Sequence, residues 1–111
     1  MEKSIILCDT NILIEFYKNN QNIVAELEKI GRKNIALSVI SAGELIFGAL
    51  NKKEIQTIKK DTEHLILFNV NELISKKFIE LMLEYSKSHG LSIPDALIAA
   101  TAIVNNIFLF T

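Results

Sequence analysis

Three acidic residues, each isolated in an apolar stretch, have the type and spacing that could support chemistry. Asp9 directly follows the apolar run at residues 5–8, Glu44 is the only charged residue from 35 to 50, and Asp95 is the only one from 91 to 104. Burying an unpaired carboxylate is costly, so we expect such groups to be paired, protonated or bound to metal. Convergence of the three acids on one cation would explain all of them together.

Two of these acids also have a purely structural interpretation. Asp9 stands with Thr10 and Asn11 before an apolar helical pattern, and these are residue types that cap helix starts. Asp95 stands three positions after Ser92, the spacing of a capping box. Capping of separate helices and a shared metal site are therefore both open, and the recurrence of the pattern in three segments favours the shared site.

The elements that would position these acids alternate between strands and helices. Short apolar runs predict buried strands at residues 5–8, 35–37, 65–70 and 107–110. Helical spacing predicts helices at residues 12–17, 23–30 and 93–104, and the charged segment 52–63 would form an exposed helix or a lid-like connection. This alternation is typical of an α/β fold with a parallel sheet and helices on both faces. Asp9 would then lie at the carboxyl end of a strand, where such sheets bind ligands.

Two further helices complete this prediction. The helix that carries Glu44 would begin at Ser38 or Ser41 and end near Gly48. A long helix would be capped by Asn71 and end at Gly90. Its expected apolar face consists of Leu73, Ile74, Phe78, Leu81, Met82 and Tyr85.

Length and charge restrict the classes of protein to which this chain can belong. The 111 residues predict one domain spanning residues 1–111, and 50% hydrophobic residues indicate an ordinary globular chain. A net charge of −1 gives no global sign of nucleic-acid binding, so a polyanion would need local basic clusters or a metal. Four lysines between residues 52 and 60 could form such a cluster, although a solvated helix face is the simpler interpretation.

Cysteine usage and hydropathy point to a cytoplasmic protein. Cys8 is the single cysteine, it cannot form an internal disulfide, and we interpret it as a core residue rather than a nucleophile. His64 lacks the neighbours of a zinc site, so we interpret it as structural. There is no secretory signal, and no apolar run approaches the ~20 residues that span a bilayer.

Three segments resemble, in order and spacing, the sequential motifs of PIN domains, and within them the VapC-type toxins of type II toxin–antitoxin pairs. They are DTNILIE at residues 9–15, SVISAGELIFGA at 38–49 and PDALIAATA at 94–102. Each motif alone is weak, whereas the ordered set is specific. The resemblance implies a three-layer α/β/α sandwich and a Mg²⁺- or Mn²⁺-dependent endoribonuclease. It also implies an RNA substrate, a cognate antitoxin and a homodimeric assembly.

The same resemblance assigns roles to individual residues. It implies that Asp9 and Asp95 are the principal metal ligands and that Glu44 completes the acidic cluster, directly or through water. Asn11, with Thr10 or Ser41, would orient Asp9. The chemistry suits these residue types, since carboxylates are hard ligands for Mg²⁺ and a metal-bound water can attack a phosphodiester without a His or Lys base.

The sequence departs from the family at its end. Family members usually continue past the equivalent of Thr111 with a segment that ends in a fourth acid, followed by a final edge strand. We interpret this C-terminal segment as missing, by truncation or by natural abbreviation, and expect fewer ligands to weaken metal binding. The strand at 107–110 would then lie at or near a sheet edge, open to pairing with another chain.

Two other functional classes stay open. One is a catalytically impaired PIN-like module that keeps the acidic pocket but works by protein binding and dimerisation, which the missing fourth acid favours. The other is a phosphoacceptor receiver-like domain. That domain would require an acid at the end of the third strand, where this chain has Asn69 and Val70.

Overall fold

Four short parallel strands form the centre of a computed structural model that describes residues 4–111. The strands pair side by side in the order β3-β2-β1-β4. The elements follow one another as β1 Ile6–Cys8, α1 Thr10–Tyr17, α2 Gln21–Ile30, β2 Ile35–Ser38, α3 Val39–Gly48, α4 Lys52–His64, β3 Ile66–Phe68, α5 Glu72–Tyr85, α6 Ile93–Asn105 and β4 Phe108–Phe110. A short 3₁₀ turn, Arg32–Asn34, precedes β2. The predicted α/β fold with a parallel sheet is confirmed.

Side chains alternate along each strand and so divide the core into two layers. Cys8 and Leu37 point to one face of the sheet and pack with residues of α1 to α4. Leu7 and Ala36 point to the other face, where they pack against Ile98 of α6. Helix α5 lies against α6. Helices therefore cover both faces of the sheet, as the three-layer prediction requires.

Several helix boundaries are set by single residues, as predicted. Ser38 Oγ accepts a hydrogen bond from the backbone N–H of Ile40 at 3.1 Å, so Ser38 rather than Ser41 caps α3. Asn71 Oδ1 accepts from the N–H of Ile74 at 2.9 Å and starts α5. These caps satisfy N–H groups that have no partner within the helix.

The two edge strands are more exposed than the apolar runs predicted. Leu67 of β3 is 42% exposed and Phe108 of β4 is 69% exposed, so the prediction of buried strands is wrong at both positions. Each of these strands has a neighbour on one side only, and the helices cover it incompletely. The predicted edge position of residues 107–110 is confirmed for β4.

Two further boundaries also differ from the prediction. Helix α1 begins at Thr10, two residues earlier than expected, and α5 ends at Tyr85, before the positive-φ Gly90. Leu73, assigned to the apolar face of α5, is 63% exposed because it lies in the first turn beside solvent. Within residues 4–111, no helix combines the length and the apolar character needed to cross a bilayer.

Candidate active site

Three helices begin at the edge of the sheet where the strands end. Helix α1 follows β1 directly, α3 follows β2 directly, and α6 runs antiparallel to the strand β4 that comes after it. The N-terminal halves of these helices, with the Asp9 cap of α1, therefore bring Asp9, Glu44 and Asp95 to the lining of one cavity of about 490 Å³. The cavity lies beside the point where strand order reverses between β1 and β4, which is the usual ligand position in open α/β sheets.

Asp9 is held by one hydrogen bond to its side chain and one from its backbone. Its Oδ1 accepts a hydrogen bond from the N–H of Ile12 at 3.0 Å, and its own N–H donates to the carbonyl oxygen of Phe110 at 3.0 Å. The capping interpretation of Asp9 is thus confirmed. Capping does not exclude metal binding, because a carboxylate has two oxygens and Oδ2 accepts no hydrogen bond among residues 4–111.

Glu44 is held by two buried hydroxyl groups. Thr10 Oγ1 lies 2.6 Å from Glu44 Oε1 and 2.9 Å from Ser41 Oγ. An ionised carboxylate can only accept, so the single hydroxyl proton of Thr10 points to Glu44 and Ser41 donates to Thr10. Since Thr10 and Ser41 are buried, this chain of hydrogen bonds fixes the carboxylate of Glu44 relative to α1.

The residues that were expected to orient Asp9 make no hydrogen bond to its carboxylate within residues 4–111. Thr10 contacts Glu44, Ser41 contacts Thr10, and Asp9 is oriented instead by the backbone of its own helix. Asn11 lines the cavity and is exposed, and its side chain makes no hydrogen bond within residues 4–111. Thr10 and Asn11 line the cavity, whereas Ser41 lies behind it and bonds Thr10. The hydroxyl groups expected beside Asp9 are therefore linked to Glu44 instead.

The three acids are less buried than the apolar character of their segments suggested. Asp9 is partly buried, whereas Glu44 and Asp95 are exposed, so the expectation of buried unpaired carboxylates is wrong. The segments are apolar because their other residues fill the core, for example Leu45 and Ile98. Solvation at the cavity mouth removes most of the cost of carrying these charges.

The cavity has the electrostatic character of a cation site. Three carboxylates line it, and among residues 4–111 no Lys, Arg or His does. Within residues 4–111, no three His, Cys, Asp or Glu side chains are grouped closely enough to enclose a metal ion by themselves. Hard carboxylate donors around an open, wet cavity fit a hydrated divalent cation such as Mg²⁺, which keeps several waters and uses one or two carboxylates.

A family model described as PIN domain matches residues 6–111. The chain belongs to the PIN domain family. Ribonuclease VapC1 of Methanocaldococcus jannaschii is 34% identical over 112 residues, which cover 99% of this chain and 76% of that protein. The predicted resemblance to VapC-type PIN domains is therefore confirmed.

Solved structures agree with this PIN domain assignment. A toxin–antitoxin complex from Klebsiella pneumoniae matches with a TM-score of 0.82 and 29% identity, covering 96% of this chain and 84% of that chain. VapBC-1 from nontypeable Haemophilus influenzae matches with a TM-score of 0.78 and 31% identity, covering 96% of this chain and 85% of that chain.

One residue of this PIN domain's cavity escaped the sequence analysis. Phe47 lines the cavity together with the three acids and is 93% exposed. It stands three positions after Glu44, and residues at that spacing share a helix face. This spacing could have indicated that Phe47 lies beside Glu44, but a phenylalanine in an apolar run is ordinarily interpreted as a core residue.

Cys8, next to Asp9, takes no part in the chemistry of the cavity. It is fully buried, and burial raises the pKa of its thiol to about 12, with a further contribution from the negative charge of Asp9. A thiol with so high a pKa stays protonated near neutral pH and is a poor nucleophile. The interpretation of Cys8 as a core residue is confirmed.

Proposed function

We propose that this PIN domain is a metal-dependent endoribonuclease, the toxin of a toxin–antitoxin pair, which hydrolyses RNA phosphodiester bonds. The observation that carries the proposal is the common cavity of Asp9, Glu44 and Asp95, brought together from three distant segments, with no basic side chain from the described part of the chain in its lining. The relative at 34% identity is named a ribonuclease, which supports the same reaction class.

The residues of the cavity would have different roles in this reaction. Asp9 and Asp95 would hold Mg²⁺ or Mn²⁺, and Glu44 would join them directly or through water. When bound, such a cation lowers the pKa of a coordinated water and offsets charge on the phosphoryl oxygens. Thr10 and Ser41 keep Glu44 in place, and the N–H of Ile12 keeps Asp9 in place.

We also propose the partners and setting that follow from this role. A related structure is titled a toxin–antitoxin complex, which supports a cognate antitoxin protein as a partner of this chain. A homodimer and a cytoplasmic location complete the proposal. RNA is the substrate, and no membrane is involved.

The decisive experiment compares metal binding and RNA cleavage in matched variants. Asp9→Asn keeps a capping side chain but loses the charge, Asp95→Asn removes the charge of an exposed residue on α6, and Glu63→Gln removes an exposed acid outside the cavity lining. We expect calorimetry with Mn²⁺ to show weakened binding, and gels of total RNA to show lost cleavage, in the first two variants only. Cleavage that survives both substitutions would contradict the proposal.

A second candidate function is a PIN-like module that binds protein and lacks catalysis. The absence of an enclosed group of metal ligands in residues 4–111 favours it, as does the exposed edge strand β4. This candidate predicts concentration-dependent self-association in sedimentation experiments, with no RNA cleavage in Mg²⁺ or Mn²⁺. Cleavage that depends on Asp9 and Asp95 would exclude it.

A further inference from the structure

Phe47 occupies a position that folding does not require. Its ring is 93% exposed, although it belongs to α3, whose neighbouring Leu45 is buried in the core. Single exposed apolar residues are common and need no explanation by themselves. Phe47 differs because its exposed ring lines the same cavity as Asp9, Glu44 and Asp95.

A second cavity extends the first toward basic side chains. It measures about 610 Å³ and shares Ile14 and Glu44 with the acidic cavity, so the two cavities adjoin at these residues. Lys18 and Lys53 line this second cavity, together with Glu54. Lys18 is paired at 3.9 Å with Glu15, whereas none of the ion pairs among residues 4–111 involves Lys53.

The two cavities together form a groove with three kinds of recognition groups. Carboxylates suited to a cation and the aromatic ring of Phe47 line the first cavity, and Lys53 supplies a positive charge in the lining of the second. A chain with a net charge of −1 cannot attract a polyanion by its overall field, so local positive charge has to do this. These three kinds of group are the ones that a scissile phosphate, a neighbouring base and a second phosphate would contact.

We propose that Phe47 stacks on an unpaired RNA base next to the scissile phosphate, while Lys53 contacts the RNA backbone. This inference rests on the proposed ribonuclease function and deepens it by assigning to Phe47 the contact that favours an unpaired base. Bases inside a duplex are already stacked on their neighbours and cannot present a face to Phe47. Stacking on an aromatic ring tolerates any base, so Phe47 would select unpaired RNA rather than a sequence.

The test begins with RNA that the unsubstituted protein cleaves. Cleavage sites are mapped in total RNA, and a single-stranded oligoribonucleotide spanning one site is prepared with 2-aminopurine at each position in turn. Binding is measured by fluorescence in an Asp95→Asn background, which keeps the RNA intact, and steady-state kinetics are measured in the wild-type background. The variants are Phe47→Ala, Phe47→Leu and Phe47→Tyr, with Leu83→Ala on α5 as a matched exposed control.

We expect the loss of the ring, not the loss of apolar surface, to weaken binding. Phe47→Ala and Phe47→Leu should bind single-stranded RNA about 5- to 100-fold more weakly, the range for one stacked base. Phe47→Tyr and Leu83→Ala should stay within about twofold of the parent. One 2-aminopurine position should show a fluorescence change that the Ala and Leu variants lack, and a duplex of the same sequence should not depend on Phe47.

Lys53 is tested by the salt dependence of binding. Lys53→Gln should reduce affinity at all sequences and lower the slope of log affinity against log salt by about one phosphate contact. Lys60→Gln, on the same helix but outside the lining of both cavities, serves as the control. Equal slopes for these two variants would overturn the assignment of Lys53.

The remaining outcomes separate this inference from the proposed function. If the protein cleaves RNA while all Phe47 variants bind and cleave alike, the stacking role is refuted and the ribonuclease stands. If Phe47→Ala changes self-association in sedimentation but not RNA affinity, Phe47 belongs to a protein contact and the inference is again refuted. If the unsubstituted protein cleaves no RNA with Mg²⁺ or Mn²⁺, the proposed function fails, and the inference fails with it.

Discussion

The hydroxyl of Thr10 donates a hydrogen bond to the carboxylate of Glu44 at 2.6 Å, joining the first residue of α1 to the second turn of α3. The two residues are 34 positions apart in the chain. Thr10 directly follows Asp9, so the contact sets the relative position of two of the three acids. The shape of the acidic cavity therefore depends on how α1 packs against α3.

Thr10→Val tests this relationship with almost no change in shape. Loss of the hydroxyl should reduce the free energy of unfolding by about 1–2 kcal/mol, because a buried hydrogen bond is lost and Ser41 loses its acceptor. Mn²⁺ affinity should fall about tenfold, because Glu44 is no longer held. Urea unfolding and calorimetry measure the two effects. Thr101→Val is the control, since the hydroxyl of buried Thr101 donates to the Leu97 carbonyl and its loss should leave metal affinity unchanged.

Two substitutions of Asp9 separate its capping role from its role toward a cation. Asp9→Asn retains an oxygen for the N–H of Ile12 and should change stability by only a few tenths of a kcal/mol, whereas Asp9→Ala should cost about 1 kcal/mol. Both should weaken Mn²⁺ binding to a similar extent. Chemical denaturation and metal titration of the two proteins give the comparison. Unchanged metal affinity in both would assign Asp9 to capping alone.

Cys8 makes stability fall in mildly alkaline solution. Burial raises the pKa of its thiol in the folded protein to about 12, so the unfolded chain ionises first as pH rises above about 9. The folded state then binds more protons, and the free energy of unfolding should fall by up to about 1.4 kcal/mol per pH unit. Urea unfolding between pH 7 and 10 measures this slope. The part due to Cys8 should be absent from Cys8→Ala, and equal slopes in the two proteins would contradict the assignment.

The exposed edge strand should govern self-association through backbone pairing. Phe108 is 69% exposed on β4, and a charged residue on an edge strand opposes pairing with another chain. We expect Phe108→Lys to reduce concentration-dependent association in sedimentation velocity with little change in stability. Leu83→Lys on α5 places the same charge at another exposed apolar site. An effect of Leu83→Lys alone would locate self-association on α5 instead of β4.

Much of the fold follows from short-range signals in the sequence. Ser38, Asn71 and Ser92 cap helices because their side-chain oxygens reach N–H groups two or three residues away. Apolar runs located all four strands, and the three isolated acids were identified as one set. Signals of this kind act within a few residues, so they can be read along the chain without knowledge of its neighbours.

The tertiary structure decided which distant segments meet and which side chains reach solvent. The strand order places β3 and β4 at the edges of the sheet, which leaves Leu67 and Phe108 exposed. The packing of the helices makes the Thr10 hydroxyl bond Glu44 rather than Asp9. It also turned Phe47 outward beside the acids. Exposure and long-range hydrogen bonds depend on the positions of elements that are far apart in the sequence. An apolar run has the same sequence pattern whether its strand lies at the centre or at the edge of a sheet, so the pattern alone does not predict exposure.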